Sequence, residues 1–225
     1  MINYEINRLI NFGLQQGLIH EEDTIYATNM LLGLLKVDEF NHEEINETLN
    51  TPTPILENIL DYAVSKNMLE DTVTERDLLD TNIMNCLMPR PSEVIETFNK
   101  LYDDSKEKAT DYYYKLSIAS NYIRKDRIDK NMVWKAATEY GDLDITVNLS
   151  KPEKDPKEIA KAKSFKSTSY PKCLLCKENE GFYGHMNHPA RQTHRIIPMN
   201  LGCEKYFMQY SPYTYYNEHC IIFNS

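Results

Sequence analysis

The chain has 225 residues, of which 41% are hydrophobic and 26% are charged, as in soluble proteins with one large or two small domains. Its formal net charge of −9 excludes broad, nonspecific nucleic-acid binding, which requires surplus Lys and Arg to neutralise phosphates. The sequence has no signal-peptide start and no apolar run near the length of a membrane span. We therefore predict a cytoplasmic protein that binds neither nucleic acid nor membrane.

Amphipathic helices are predicted through the first 125 residues, because apolar residues recur there at spacings of three and four. Pro54 suits the first turn of one helix, and Ser92 is a candidate N-cap of another. The mostly polar stretch 38–50, with Ile45 and Leu49 on one face, is included in this run of helices. The helical segments fall at about 4–16, 25–35, 55–64, 78–87, 94–101 and 105–123.

The pattern changes after Arg127, where strands are predicted instead of helices. Residues 143–149 alternate apolar and polar side chains, which is typical of a half-buried strand. A linker at 151–156 leads into a short helix, and aromatic and β-branched residues predict two strands within 206–210 and 215–223. The sequence therefore predicts an α+β fold, with a helical region at 1–127 and a sheet region at 128–225.

Cys173 and Cys176 form a Cys-x-x-Cys pair, the strongest local chemical signal in the chain. Two intervening residues allow both thiolates to face one tetrahedral ion, so the pair is half of a zinc site. Redox-active thiols and plain structural cysteines are the alternatives. No second pair completes the site. The further candidate ligands are His185, His188, His194, Cys203, His219 and Cys220.

A basic segment, residues 187–195, carries Asn187, Arg191 and Arg195. The planar guanidinium groups of the two arginines suit phosphate oxygens, and the Asn187 amide suits a ribose hydroxyl or a base edge. These three residues are therefore candidates for nucleotide binding. The alternative is a basic surface loop whose arginines pair with the many acidic residues of the chain.

Segments 170–181, 187–198 and 209–220, together with 145–157, resemble galactose-1-phosphate uridylyltransferases in the longer form found in Gram-positive bacteria. The resemblance implies transfer of a uridylyl group between UDP-glucose and galactose 1-phosphate through a covalent uridylyl-histidine. It further implies an antiparallel half-barrel sheet, related to that of the histidine-triad hydrolases. Cys173 and Cys176 would ligate a structural zinc or iron, while Asn187, Arg191 and Arg195 would line the uridine and phosphate pocket.

The nucleophilic histidine of that family belongs to a motif that would lie beyond Ser225, so no histidine of this chain is assigned as catalytic. We accordingly expect this chain to be the N-terminal part of the enzyme, inactive alone, with a missing C-terminal half or a second copy as its partner. Two other hypotheses remain open. One is a non-enzymatic zinc-binding interaction module, and the other is a thiol redox protein.

Overall fold

Eight α-helices and five β-strands make up the part of the chain that the computed structural model describes, residues 2–149, 156–166, 169–213 and 216–224. The α+β fold is therefore confirmed. The helices are α1 (Ile2–Gln15), α2 (Thr24–Leu35), α3 (Thr53–Ser65), α4 (Val73–Asn85), α5 (Pro91–Asp104), α6 (Lys106–Ala119), α7 (Lys125–Ile128) and α8 (Pro156–Ser164). The strands are β1 (Met132–Thr138), β2 (Gly141–Val147), β3 (Ile197–Leu201), β4 (Glu204–Tyr210) and β5 (Cys220–Phe223).

Helix boundaries follow local sequence signals with two corrections. Pro54 lies in the first turn of α3, as predicted. The prediction that Ser92 caps α5 is wrong, because Arg90 is the N-cap and Pro91 already occupies the first turn, where its missing N–H costs nothing. Residues 37–52 contain no helix. The polar side chains of α1 hold this segment instead, with the Asn7 amide donating to the Asn41 carbonyl at 3.0 Å.

The helices enclose one hydrophobic core, and the three-stranded sheet shares it. Ile197 of β3 and Met208 of β4 belong to the same buried cluster as the helical leucines and isoleucines. Tyr122, which follows α6, donates from its hydroxyl to the Tyr210 carbonyl at 3.1 Å. The helical region therefore fixes the position of β4, on which the candidate site is built.

The sheet has the antiparallel order β3-β4-β5, and a separate antiparallel hairpin is formed by β1 and β2. Strand β1, which contains the only tryptophan, was not predicted, and neither was β3. The prediction that the 143–149 strand is half-buried is wrong, because both strands of the hairpin are largely exposed. Alternation alone does not specify burial, and no other described element packs firmly on this hairpin.

Within the described ranges, no helix combines the length and apolar character required to cross a membrane.

Candidate functional site

A cavity of about 330 Å³ opens between the end of the helical region, the Cys-x-x-Cys loop and the C-terminal end of β4. We call it the β4 cavity. Pockets for small ligands start at about this volume. Its walls combine apolar side chains with a few polar ones. The lining residues are Tyr122, Leu174, Leu175, Asn179, Pro189, Ala190, Arg191, His194, Gln209, Ser211, Pro212, Tyr213 and Ile221.

Arg191 is the cationic residue of the β4 cavity. Its guanidinium lies 4.9 Å from the centre of the Tyr213 ring and 5.9 Å from that of Tyr122, and it donates to the Tyr122 carbonyl. Burial and, second, the positive charge of Arg124 lower the pKa of Arg191. The two aromatic rings hold the guanidinium by cation–π attraction, so the charge is positioned without being neutralised.

The nearest carboxylates are engaged by other arginines. Asp77 binds both Arg124 and Arg127, with 2.7 Å to Arg127, and Arg124 lies 3.6 Å from Asp80. Burial raises the pKa of Asp77, but the two arginines outweigh burial and lower it overall. Among the described residues Arg191 forms no ion pair, so this cluster of three arginines and two aspartates carries surplus positive charge beside the cavity.

His194 and Gln209 contribute two buried polar atoms that lack partners. His194 is 4% exposed and stacks on the Tyr122 ring at 5.1 Å between centroids, and Gln209 is 2% exposed. His194 Nε2 and Gln209 Oε1 have no hydrogen-bond partner among the described residues. Burial, followed by repulsion from Arg195, lowers the pKa of His194 to about 4, and a hydrogen-bonding interaction with the Gln209 side chain opposes the decrease. The two side chains thus interact with each other without forming a well-aligned hydrogen bond, so both atoms are available to a polar ligand in the cavity.

Cys173 and Cys176 lie together, with 2.9 Å between their Sγ atoms. The hydrogen bond between the thiols lowers the pKa of Cys173 and raises that of Cys176. Asn179 ties this loop to the β4 cavity, since its amide donates to the carbonyls of both cysteines and its Oδ1 lies 2.8 Å from His188 Nε2. The two thiols therefore face a common point, as a metal half-site requires.

In the described part of the chain, no third His, Cys, Asp or Glu side chain joins the two thiols to form a cluster that fits a metal ion. His188 bonds to Asn179, and His194 is stacked on Tyr122. Cys203 lies in the turn between β3 and β4, and Cys220 begins β5, with both thiols exposed. Of the ligands that a soft metal ion requires, the described residues therefore bring together only the two sulfurs of Cys173 and Cys176.

The three residues predicted to bind a nucleotide do not converge. Arg191 lines the β4 cavity, whereas Arg195 lines a different and larger cavity on the side of α2 and α4. Asn187 lines neither of these two cavities, and its side-chain amide donates to the Lys166 carbonyl at 3.2 Å. Of these three residues, only Arg191 lines the β4 cavity together with His194 and Gln209.

Tyr122, Gln209 and Tyr213 line the site but were not singled out from the sequence. Tyr122 follows α6 by three residues and continues the helical spacing of the tyrosines and leucines of that helix, so periodicity predicted only that it packs in the core. Gln209 is a buried polar residue among the aromatic and apolar residues of the second half of β4, after the exposed Glu204 and Lys205. A polar residue within the run 206–210 is the one sequence signal that pointed to it.

Comparison with known proteins decides the family. The family model described as galactose-1-phosphate uridyl transferase, N-terminal domain, matches residues 17–225. The chain belongs to the galactose-1-phosphate uridyl transferase family. It is 69% identical over its whole length to a galactose-1-phosphate uridylyltransferase of Clostridium acetobutylicum. It is 56% identical over 97% of its length to one of Caldanaerobacter subterraneus, and 52% identical over its whole length to one of Butyrivibrio fibrisolvens.

The chain spans about half the length of these curated relatives, covering 45%, 43% and 58% of them respectively. No solved structure matches it significantly. The resemblance found in the sequence is thereby confirmed. The chain corresponds to the N-terminal portion of the proteins of this family.

Proposed function

We propose that this chain supplies the uridine-nucleotide-binding part of an enzyme that transfers a uridylyl group between UDP-glucose and galactose 1-phosphate. The observation that carries the proposal is the 69% identity to a galactose-1-phosphate uridylyltransferase along the entire chain. The covalent uridylyl-histidine stays part of the proposal, with the nucleophile expected beyond Ser225. Transfer through such an intermediate divides one difficult displacement into two easier ones.

The β4 cavity supports the nucleotide-binding role through its charge. Arg191 presents a guanidinium with no ion-pair partner among the described residues, held between two aromatic rings. A phosphate oxygen bound there would satisfy both the charge and the fork of N–H donors. Arg191 is therefore the residue we assign to a phosphate of the nucleotide, and Asn187 and Arg195 stay predictions for this function.

The orphaned atoms support the same role through hydrogen bonding. A uracil ring presents an N–H donor between two carbonyl acceptors along one edge. Gln209 Oε1 and one ring nitrogen of neutral His194 interact with each other but form no well-aligned hydrogen bond, so both are available to the base. Binding of the base at these two atoms would satisfy buried groups that otherwise destabilise the fold.

Titration calorimetry with UDP-glucose and the Arg191→Ala variant tests this assignment. We expect affinity to fall at least about tenfold, since a hydrogen bond to a charged group contributes about 1.5–3 kcal/mol. Arg76→Ala is the matched control, because Arg76 pairs with Asp61 and Asp71 on the surface, outside the cavity. Equal affinity of the wild type and Arg191→Ala would contradict the site.

Cys173 and Cys176 are proposed to hold a structural zinc or iron, completed by ligands beyond the pair of thiols. Such an ion would order the loop that carries Leu174 and Leu175, two walls of the β4 cavity. Zinc added to the metal-free protein is expected to protect both thiols from alkylation, measured by mass spectrometry. Cys203, which is also exposed, is the control and stays reactive.

Equal alkylation with and without zinc would contradict the metal assignment. Formation of a Cys173–Cys176 disulfide under mild oxidation, without zinc protection, would favour the redox hypothesis instead. Zinc protection in a protein with no affinity for UDP-glucose would favour the interaction-module hypothesis.

A further inference from the structure

A second and larger cavity, of about 760 Å³, lies between α2, the end of α4, the start of α5 and the segment 180–195. We call it the α4–α5 cavity. It is separate from the β4 cavity, with which it shares no lining residue. Its lining has an apolar part, contributed mainly by α2, and a cationic part that contains two arginines.

The face of α2 that lines this cavity is apolar. Tyr26, Met30 and Leu34 follow one another at intervals of four residues, so they form a single stripe along the helix. Tyr26 is 59% exposed and Met30 is 46% exposed, so the stripe is open to solvent. At a rise of 1.5 Å per residue the stripe is about 12 Å long. It therefore offers a long, continuous apolar surface to a ligand.

Gly33 leaves space beside this stripe. It also lines the cavity, and a methyl group at its position would meet no atom within 4 Å. Met88, Pro91 and Tyr183 extend the apolar lining beyond α2. The larger part of the cavity surface is therefore suited to an apolar body.

Arg195 provides a buried guanidinium in the cationic part. It is 7% exposed, and its Nε donates to the Pro89 carbonyl at 3.0 Å while one terminal nitrogen donates to Asn85 Oδ1 at 3.2 Å. The other terminal nitrogen donates to the carbonyls of Gln192 and His194. These four partners are neutral, and a guanidinium has five N–H donors. Within the described part of the chain, one donor and the positive charge are therefore left for a ligand.

The charged groups of the cavity do not balance. Its described lining contains two guanidiniums, of Arg90 and Arg195, and one carboxylate, of Glu180, and so carries one surplus positive charge. Glu180 accepts a hydrogen bond from the Ile196 backbone N–H at 2.9 Å. Burial lowers the pKa of Arg195 to about 10, with attraction from Glu180 opposing and repulsion from Arg90 adding to the decrease. One negative charge would neutralise this lining, because buried charges are stable only when they are paired.

We propose that the α4–α5 cavity binds a monocarboxylate with an extended apolar body, the carboxylate on Arg90 and Arg195 and the body along the α2 stripe. A planar carboxylate matches the fork of N–H donors of a guanidinium. The apolar body removes the stripe from water, which favours binding in proportion to the area covered. The stripe is close in length to an extended decanoyl chain. Binding here does not require a nucleotide in the β4 cavity, since the two cavities share no lining residue.

Decanoate, used below its micellar concentration, is the probe for a calorimetric test on the 225-residue protein. Two control ligands separate the features that would recognise it. Acetate has the carboxylate without the apolar body, and decylamine has the body with the opposite charge. Decanoate is expected to bind at least about tenfold more tightly than either. Glucose 1-phosphate, which has no apolar body, is expected not to displace it.

Gly33→Leu is the blocking variant, and Gly33→Ala is its matched control. Both replace the same glycine of α2, where a first carbon atom meets no neighbour. The longer Leu side chain takes space that the ligand needs and should lower the affinity for decanoate at least about tenfold. Gly33→Ala should bind decanoate as the wild type does.

Arg90→Gln tests the carboxylate end without disturbing the core, because Arg90 is exposed. It should lower the affinity for decanoate about fivefold, the contribution of an exposed charge pair. Lys100→Gln, which removes one exposed positive charge further along α5, is the control and should bind as the wild type does. Arg191→Ala should also bind decanoate normally, whatever its effect on UDP-glucose.

Oxidation of methionines locates the bound ligand. Met30 of the stripe and Met132 of β1 are similarly exposed, at 46% and 55%, so hydrogen peroxide should convert both to the sulfoxide. Bound decanoate should protect Met30 and leave Met132 reactive, as measured by mass spectrometry of their peptides.

Any of four results would overturn the assignment: no binding of decanoate to the wild type, equal affinity for decanoate and decylamine, equal affinity of Gly33→Leu and Gly33→Ala, or displacement of decanoate by glucose 1-phosphate. Protection of Met132 together with Met30 would contradict it equally, because it would show adsorption to apolar surface in general. Loss of decanoate binding in Arg191→Ala would place the ligand in the β4 cavity instead.

Discussion

Arg191 and His194 are two groups of the candidate site whose charged forms are disfavoured by burial. Arg191 keeps its charge through two aromatic rings and a backbone carbonyl, whereas His194 is driven to its neutral form by burial. The sequence predicted Arg191 from its residue type and the resemblance. It did not predict that Arg195, only four residues later, lines another cavity, because a turn rather than a helix joins them.

Protonation of His194 should weaken the fold in acid. Its pKa is about 4 in the folded protein and about 6.5 when unfolded, so the unfolded state binds the extra proton between these values. The stabilisation is complete above about pH 6.5 and decreases progressively down to about pH 4. Between pH 7 and pH 5 the loss from this residue is about 2 kcal/mol.

Urea unfolding of wild type and His194→Gln at pH 7 and pH 5 measures this loss. The decrease in unfolding free energy between the two pH values should be smaller in His194→Gln by that amount. His42→Gln, at an exposed position, is the control and should retain the wild-type decrease. An identical pH dependence in His194→Gln and wild type would contradict the buried, neutral histidine.

At the scale of the elements, α4 is joined to the turn after α6 and to α7 by buried charges. Asp77 of α4 binds Arg124 and Arg127, and Asn121 donates to Asp80 at 2.8 Å. Periodicity predicted α4 and α6 themselves, because their apolar residues recur at helical spacing. It could not predict which polar residues meet across 40 to 50 positions of sequence, since that depends on how the helices pack.

Asp77→Asn should destabilise the protein by about 3 kcal/mol, because it removes the carboxylate that lies closest to the buried Arg124. Chemical unfolding measures the change. Asp104→Asn is the control, since Asp104 pairs with Lys108 on the exposed surface of α5 and α6, where an ion pair contributes at most about 1 kcal/mol. Equal effects of the two substitutions would show that the Asp77 cluster is not structurally important.

For the whole molecule, one core extends from the helical region into the three-stranded sheet, so the helices serve as the support for the site. The α+β fold and the order of helices before strands were predictable, because each depends on local periodicity. The exposure of the β1–β2 hairpin and the location of both cavities were not. They depend on tertiary packing, and the division of the chain at residues 127 and 128 stays a prediction.

Hydrogen–deuterium exchange with and without UDP-glucose tests the central claim most directly, that the β4 cavity binds the nucleotide. Nucleotide binding there should slow exchange in peptides covering 173–179, 189–194 and 209–213, and leave exchange unchanged in peptides covering α2 and the start of α5. Protection of α2 and α5 in place of these segments, or no protection at a saturating concentration of UDP-glucose, would contradict it.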